Sequence, residues 1–566
     1  MSDSELAMLP VFLPLAGAAL SLLAKALHGG AKARALEDSG AFIGLALPWA
    51  ALAAMLPRVL AGGVSFTVSG WSGAIGIAQR FDGLTWLVDV LGLTGAGAAY
   101  LYSRGNGPKG PLFTTVYLIQ ASALAMTAAT ADLFNLFVCL EILGLASYVL
   151  VASSEKPGAF LAAFSYLAVS SAAMVFFLFG LFGFYRVTGT LSYEGIQAAL
   201  VALPDGGGAI ATMSTACLAA AIAIRVAVMP VYGWLPDAHA LAPHAVSAIL
   251  SGVLIKTPLF ALGRLLGYLP SGQEAMALIG SAGVVTALAA VVVALSQKDA
   301  KRLLAYHSIS QIGYVVAAWG LGAPAAMAAA FLHAFYHALF KGLLFLSVGT
   351  ITDAAGTRNV YELRGAAGTL GKSGDRFRLV GVAYAVGALS IMALPPLNGF
   401  ASKNAIGYLF KGGWRYWALF AAGACTVASF LKLSMIFLPA RRGAPADAAG
   451  VAGSVPGLRI GGTMKASMLI LASLCVATGL FADATTAAVS RLLGAPPPAG
   501  GAFTAANLLK ALQTLALGAA VFGLAMSKPG KRLAAAIRGR PRSFAGLVMA
   551  FLGGLAVLAA ALARFG

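Results

Sequence analysis

The sequence predicts an all-α polytopic membrane protein with about 14–16 transmembrane helices. Three observations predict it. Of the 566 residues, 60% are hydrophobic and only 10% charged, against ~45–50% and ~25% in an ordinary soluble domain. The apolar residues fall into stretches close to the ~20 residues that a membrane-spanning helix needs. These stretches are uniformly apolar, whereas a transmembrane β-barrel would show ~10-residue segments of alternating polarity.

Sixteen spans follow in order: 7–27, 40–61, 83–103, 112–130, 133–153, 159–185, 207–229, 245–265, 274–296, 303–321, 323–351, 379–406, 416–439, 464–484, 503–526 and 543–563. The first follows an acidic start (Asp3, Glu5) without the basic region of a cleavable signal peptide, so it reads as a retained helix. The fifth carries Glu141 midway and the eighth carries Lys256. The eleventh places His333, His337 and Lys341 at steps of four, which puts them on one helical face. The seventh and twelfth are interrupted, by Pro230 and Gly233-Trp234-Leu235-Pro236 and by Pro395-Pro396-Leu397-Asn398-Gly399. Proline breaks a helix by removing a donor, and irregular backbone at membrane depth is tolerated only against protein or a wet cavity. The Gly/Pro/Ala-rich stretches 440–463 and 485–502 read as linkers.

The formal charge of +19 would suggest nucleic acid in a soluble chain. Here its placement decides. Loops after odd-numbered spans hold 24 of the 38 Lys and Arg residues, and the remaining loops and ends hold eight. The positive-inside rule then puts the odd loops in the cytoplasm and both termini outside. The cluster Lys528, Lys531, Arg532, Arg538, Arg540, Arg542 is the strongest anchor. With Lys25, Arg58, Arg264 and Lys465, close to span ends, counted with the loops, six basic residues remain inside spans: Arg225, Lys256, Lys341, Lys403, Lys432 and Lys510. Lys510, near a span end, reads as a snorkelling lysine. Each such charge facing lipid at mid-bilayer would cost roughly 2.5–3.5 kcal/mol, so these residues must face one another, water or a neighbouring helix. The two breaks lie five spans apart. An odd offset reverses direction, so spans 4–8 and 9–13 read as inverted repeats of the kind that enclose a transport site. The chain divides accordingly into 1–110, a first half-channel at 111–268, a second at 269–440, and a transmembrane extension at 441–566.

The motifs resemble those of the antiporter-like proton-channel subunits of complex I, Mrp cation/proton antiporters and membrane-bound hydrogenases. They are Asp132-Leu-Phe-Asn-Leu-Phe-Val-Cys-Leu-Glu141, Trp234-Leu-Pro-Asp-Ala-His239-Ala-Leu-Ala-Pro243 with Lys256, Lys298-Asp-Ala-Lys301-Arg302, His333-x3-His337-x3-Lys341, and Leu394-Pro-Pro-Leu-Asn-Gly-Phe400 with Lys403. The similarity spans residues 80–440. The Asp-Leu-Phe-Asn form and Gly189-Thr190-Leu191 look most like the D-type subunits of Mrp antiporters and the hydrogenase branch.

The resemblance implies an ion pair between Glu141 and the basic residue of the seventh span, here Arg225. It implies Lys256 as a connecting lysine, and Lys301 (or Arg302), His333, His337 and Lys341 along a central axis. Lys403 would sit at the far half-channel. It also implies homologous antiporter-like and small membrane subunits as partners, with peripheral redox subunits where redox chemistry drives translocation, and protons, alone or together with Na⁺, as the transported ions. The setting is the cytoplasmic membrane. Imidazole accepts and donates protons near neutral pH, and lysine in a dry site gives up its proton more readily than in water. The family usually has lysine where this chain has Arg225. Arginine stays protonated, so Arg225 reads as a fixed counter-charge for Glu141. The extension reads, by analogy, as a docking module.

Other residues keep more than one reading. Asp237, His239 and His244 either stabilise the break or line a channel mouth. Lys301 is either an axis residue or a surface anchor. Lys432 is a channel residue, a snorkelling lysine or a partner contact. His307 and Asp89 fall on no motif. The four cysteines stand singly and support neither zinc nor cysteine-ligated clusters. Ala366-Ala-Gly-Thr-Leu-Gly371-Lys372-Ser373 lacks the first glycine and the strand setting of a phosphate loop. The chain is therefore expected to hold no cofactor, metal or redox centre of its own. Coupling would be to redox chemistry, to Na⁺/H⁺ exchange or to inorganic carbon uptake in partner subunits.

Overall fold

A computed structural model describes residues 2–27, 30–68, 76–204, 206–269, 272–439, 458–498 and 500–539, with isolated positions at 552, 553 and 556. The chain opens with α1 (Asp3–Ala26), α2 (Gly30–Leu45) and α3 (Pro48–Leu60). A short antiparallel hairpin follows, β1 (Val64–Thr67) on β2 (Ala78–Phe81), with Val64 opposite Phe81. α4 (Gly83–Gly105) closes the N-terminal part, and the stretch 111–268 comprises α5 (Pro111–Ala129), α6 (Leu133–Ala152), α7 (Ala159–Thr188), α8 (Tyr193–Ala202), α9 (Gly208–Arg225) and α10 (Leu235–Leu241). It ends with α11 (His244–Ile249), which passes through a π-turn at Leu250–Leu254 into α12 (Thr257–Leu266). The second region has α13 (Gly272–Ser296), α14 (Ala300–Trp319), α15 (Pro324–Ala355), α16 (Ala366–Lys372), α17 (Leu379–Ile391), α18 (Asn398–Leu409) and α19 (Trp414–Ser434). The extension has α20 (Gly462–Leu480), α21 (Ala482–Leu492), α22 (Ala505–Met526) and α23 (Lys528–Gly539).

The protein is a polytopic all-α membrane protein. Among the described residues, thirteen helical stretches are long and apolar enough to cross a membrane. The expected tenth span is helical as α14 but carries His307, Ser308, Ser310 and Gln311. The twelfth is divided into α17 and α18 at the Pro395-Pro396 break. The sixteenth, 543–563, lies almost wholly outside the described residues, as do Arg540 and Arg542.

Two boundaries differ from the sequence reading: the stretch 485–502, read as a linker, begins inside α21, which runs to Leu492, and the second span starts earlier. The second span begins at Gly30, not at 40, because Glu37 and Asp38 lie inside a helix. Glu37 is only 4% exposed. Arg104 pairs with it at 3.2 Å and with Asp38 at 2.8 Å, and the Thr114 hydroxyl donates to Glu37 at 2.8 Å. A buried carboxylate is tolerable when it is paired and hydrogen-bonded in this way.

Local geometry recurs across the two halves. Asp132 caps α6 by accepting from the Asn135 amide, and 167 positions later Asp299 caps α14 by accepting from Arg302. Leu133 donates to Leu191 and Tyr193 to Ala131, matched at the same offset by Ala300 to Arg358 and Val360 to Lys298. α7 and α15 both end on a left-handed glycine, Gly189 (φ 68°) and Gly356 (φ 69°). The two breaks carry Ala227 (φ 56°) and Ala393 (φ 59°) in the left-handed region, which costs an alanine energy that surrounding structure must supply.

The extension is part of the packed body. Ser467 on α20 donates to the Ala98 carbonyl of α4 at 2.6 Å, and Asn398 of α18 donates to Thr478 at 3.2 Å. A Cβ at Gly83, where α4 begins, would stand 1.6 Å from the Leu492 carbonyl oxygen of α21. α22 lies along α19, with Gly518 facing Val427.

Candidate functional site

The innermost helices, α11–α12 and α15, carry the central charged groups. Arg225 is the last residue of α9 before the break. Its Nη1 lies 3.7 Å from a Glu141 carboxylate oxygen, and Nη2 donates to the Leu140 carbonyl at 2.6 Å. The Arg225 side chain is 5% exposed, whereas that of Glu141 is 44% exposed, on the outer side of α6. Gly144 leaves the space for this arrangement, since a Cβ there would stand 2.6 Å from the Tyr148 hydroxyl and 3.1 Å from Arg225. The Trp234 indole donates to the Ile224 carbonyl near the break and stacks on Tyr166 at 4.0 Å.

Lys256 follows directly on the π-turn. Such turns expose carbonyls that a regular helix would use. Its ammonium donates to Ser251 at 3.1 Å and to Gly252. On α15, Lys341 donates to the Leu304 carbonyl of α14 and lies 4.9 Å from the Phe345 ring centre. Ser251 and Ser308 share a 2.6 Å hydrogen bond that ties α14 to the π-turn.

Further along α15, His333 and His337 stack at 6.3 Å, as the spacing of four predicts. His333 Nδ1 bonds the Ser402 hydroxyl at 2.9 Å. Neither ring nitrogen of His337 has a hydrogen-bond partner among the described residues. Lys403 on α18 donates to the Ile391 carbonyl at the end of α17 at 2.8 Å, with its ammonium 5.1 Å from the Tyr314 ring centre.

Lys301 is fully buried and donates to the Ala242 carbonyl at 2.7 Å. The exposed neighbour Arg302 pairs with Asp237 at 2.6 Å, so Arg302 is the surface anchor and Lys301 faces inward. Lys432 is also buried, donating to Leu295 and Gln297 at 2.6 and 2.7 Å. These contacts occupy its ammonium inside the protein, so it does not snorkel.

Sequence reasoning underweighted several buried groups. His307 is fully buried on α14 and bonds Ser429 at 2.8 Å. His244 bonds Asp353 at 2.8 Å, and Asn106 donates to the same oxygen at 3.1 Å. Asp89 is 2% exposed. His244 and His307 are satisfied by partners more than a hundred residues away, which no local pattern announces. Nearby, in the α6–α7 loop, burial lowers the pKa of Lys156 while Asp353 opposes the shift. Among the described residues, no cluster of three or more His, Cys, Asp or Glu side chains could hold a metal ion.

Fold and site define a class: a many-helix membrane protein that keeps a row of cations and imidazoles inside its body. Residues 130–432 match the family described as NADH:quinone oxidoreductase/Mrp antiporter, TM, and the chain belongs to that family. It is 32% identical over 434 residues to NADH-quinone oxidoreductase subunit N of Desulforudis audaxviator, covering 74% of this chain and 84% of that protein. It is 29% identical to an Na(+)/H(+) antiporter subunit of Alkalihalophilus pseudofirmus, covering 52% of this chain and 58% of that one. Its fold superposes on a chain of the Mrp complex from a Dietzia species with a TM-score of 0.75 at 24% identity, covering 90% of this chain and all of that chain.

Proposed function

We propose that this chain is a proton-translocating, antiporter-like subunit of a multisubunit membrane complex. In this reading, protons move along Lys256, Lys341, His337, His333 and Lys403, with Glu141–Arg225 as an electrostatic gate and Lys301 joining from the side. One observation carries it. The interior holds a succession of lysines bound by carbonyl oxygens, and none of them forms an ion pair with a carboxylate among the described residues. A carbonyl accepts from an ammonium and, more weakly, from a neutral amine, so each site can change charge without losing its partner. Two like charges ~8 Å apart at an effective dielectric of ~20 repel by about 2 kcal/mol. A proton arriving at one lysine therefore weakens its neighbour's hold.

Residues 111–268 and 269–440 form the two half-channels, and the outer face of the extension meets neighbouring subunits. The excess of Lys and Arg in odd loops supports a cytoplasmic-membrane orientation with both termini outside. The driving step, redox chemistry or a cation gradient, lies in partner subunits. The likeness to an Na(+)/H(+) antiporter subunit favours Na⁺/H⁺ exchange as the second reading. The test is the complex purified from its own membrane and reconstituted into liposomes with a pH-sensitive dye. Lys256→Met should abolish proton flux while leaving assembly intact, and full flux in that variant rejects the axis.

A further inference from the structure

The C-terminal extension places a lysine beside Lys403. Lys510 is the one charged residue in α22, and a lysine near a span end would ordinarily reach for the membrane surface along the lipid face. Here it does not. Asn507, Lys510, Ala511, Thr514 and Gly518 form the stripe of α22 that packs inward, and the Lys510 ammonium lies 4.9 Å from the Tyr416 ring centre. A cavity of about 50 Å³ is lined by both Lys403 and Lys510, together with Asn404, Tyr314 and Tyr416. That is room for a few water molecules. The Asn404 side-chain nitrogen, buried in this region, has no hydrogen-bond partner among the described residues. Tyr314 is committed elsewhere, donating to the Leu419 carbonyl at 2.6 Å. No carboxylate lines the cavity among the described residues. Gly407 makes the approach feasible, because a Cβ there would stand 2.5 Å from the Lys510 ammonium.

We propose that Lys510 is the terminal proton carrier of the second half-channel, exchanging protons with Lys403 through this cavity and with the solvent beyond the α18–α19 loop. This rests on the proton-translocation reading above. The Lys403 ammonium gives one proton to the cavity water, which delivers one to the neutral Lys510 amine. Lys510 then releases it to the surface, and the reverse order serves the opposite direction. With two cations and no lining carboxylate, charging one lysine disfavours charge on the other, so each proton received promotes the release of the next.

The experiment is dye-reported proton flux in liposomes holding the intact complex. K510Q and K510R should each lower flux at least about tenfold, the scale of a lost proton-transfer group. Arginine keeps size and charge but does not release its proton. K510H restores a titratable group and should recover flux to within about threefold of the parent. Gly407→Ala, which displaces the ammonium without changing any charge, should give an intermediate loss. Parental flux in K510R overturns the assignment, since a lysine serving only as a packed or surface-seeking cation tolerates arginine. K403Q reports separately on the underlying reading. Loss of flux there with full flux in K510R removes only Lys510, whereas full flux in K403Q removes the axis itself.

Discussion

Glu141→Gln is the perturbation that bears most directly on the gate. Arg225 and Glu141 approach to 3.7 Å, which corresponds to about 4.5 kcal/mol of attraction at an effective dielectric of ~20. Glu141 is 44% exposed, and solvent or headgroup screening reduces that figure. Between about 2 and 4 kcal/mol remains, an equilibrium factor of roughly 30 to 1,000. Arg225 cannot answer by losing its proton. Its other nitrogen already binds the Leu140 carbonyl, so the neutral variant leaves a buried cation without its counter-charge. The pair would no longer distinguish open from closed. The expected result is at least a tenfold fall in proton flux by the reconstituted complex, with assembly unchanged on native electrophoresis. Arg225→Lys, which restores a titratable cation at the same place, should preserve or raise flux. Parental flux in Glu141→Gln would refute the gate, because no other residue supplies that charge to Arg225 among the described ion pairs.

Two further outcomes follow from the same geometry. His337→Gln should reduce flux more than Ser402→Ala, because the His337 nitrogens are both available for proton exchange while Ser402 only orients His333; comparable losses in the two variants would place the relay elsewhere. Gly83→Ala should lower the melting temperature of the detergent-solubilised protein, at a cost of about 3 kcal/mol or more, because its Cβ collides with the Leu492 carbonyl of α21; an unchanged melting temperature would show that α21 does not pack on α4.

Most of the span pattern was legible because the bilayer imposes a length and a polarity that survive in a single sequence. The breaks were legible for the same reason: Pro230 and Pro395-Pro396 cannot continue a helix, and the structure ends α9 at Arg225 and α17 at Ile391. What sequence could not supply was partnership across long separations. Glu37 and Asp38 looked like loop residues until Arg104 came to meet them. His244 had no visible counterpart until α15 delivered Asp353, more than a hundred residues on. Lys510 looked like a surface-seeking lysine because only the packing of α22 on α19 decides which of its faces points inward. The hairpin of β1 and β2 was missed because four-residue strands carry too little periodicity to register.

The intramembrane cations read differently once their partners are known. An isolated charge in hydrocarbon demands a counter-charge, and the sequence offered Glu141 as the obvious one. The structure instead satisfies Lys256, Lys341, Lys403 and Lys432 with carbonyl oxygens left free by the π-turn, from within α14, at the break and near the end of α13. Carboxylate partners would have fixed each lysine in its charged form, since opposite charge holds a proton in place. Carbonyls at helix ends carry only partial negative charge. They position the amine while leaving its protonation open to the charge of its neighbours, which is what a relay requires of every member except its gate. Among the members of the proposed relay, Glu141–Arg225 is the ion pair, and its cation does not give up its proton. Fixed charge at the proposed gate and adjustable charge along the proposed relay is a division of labour that follows from the residue types and their partners together.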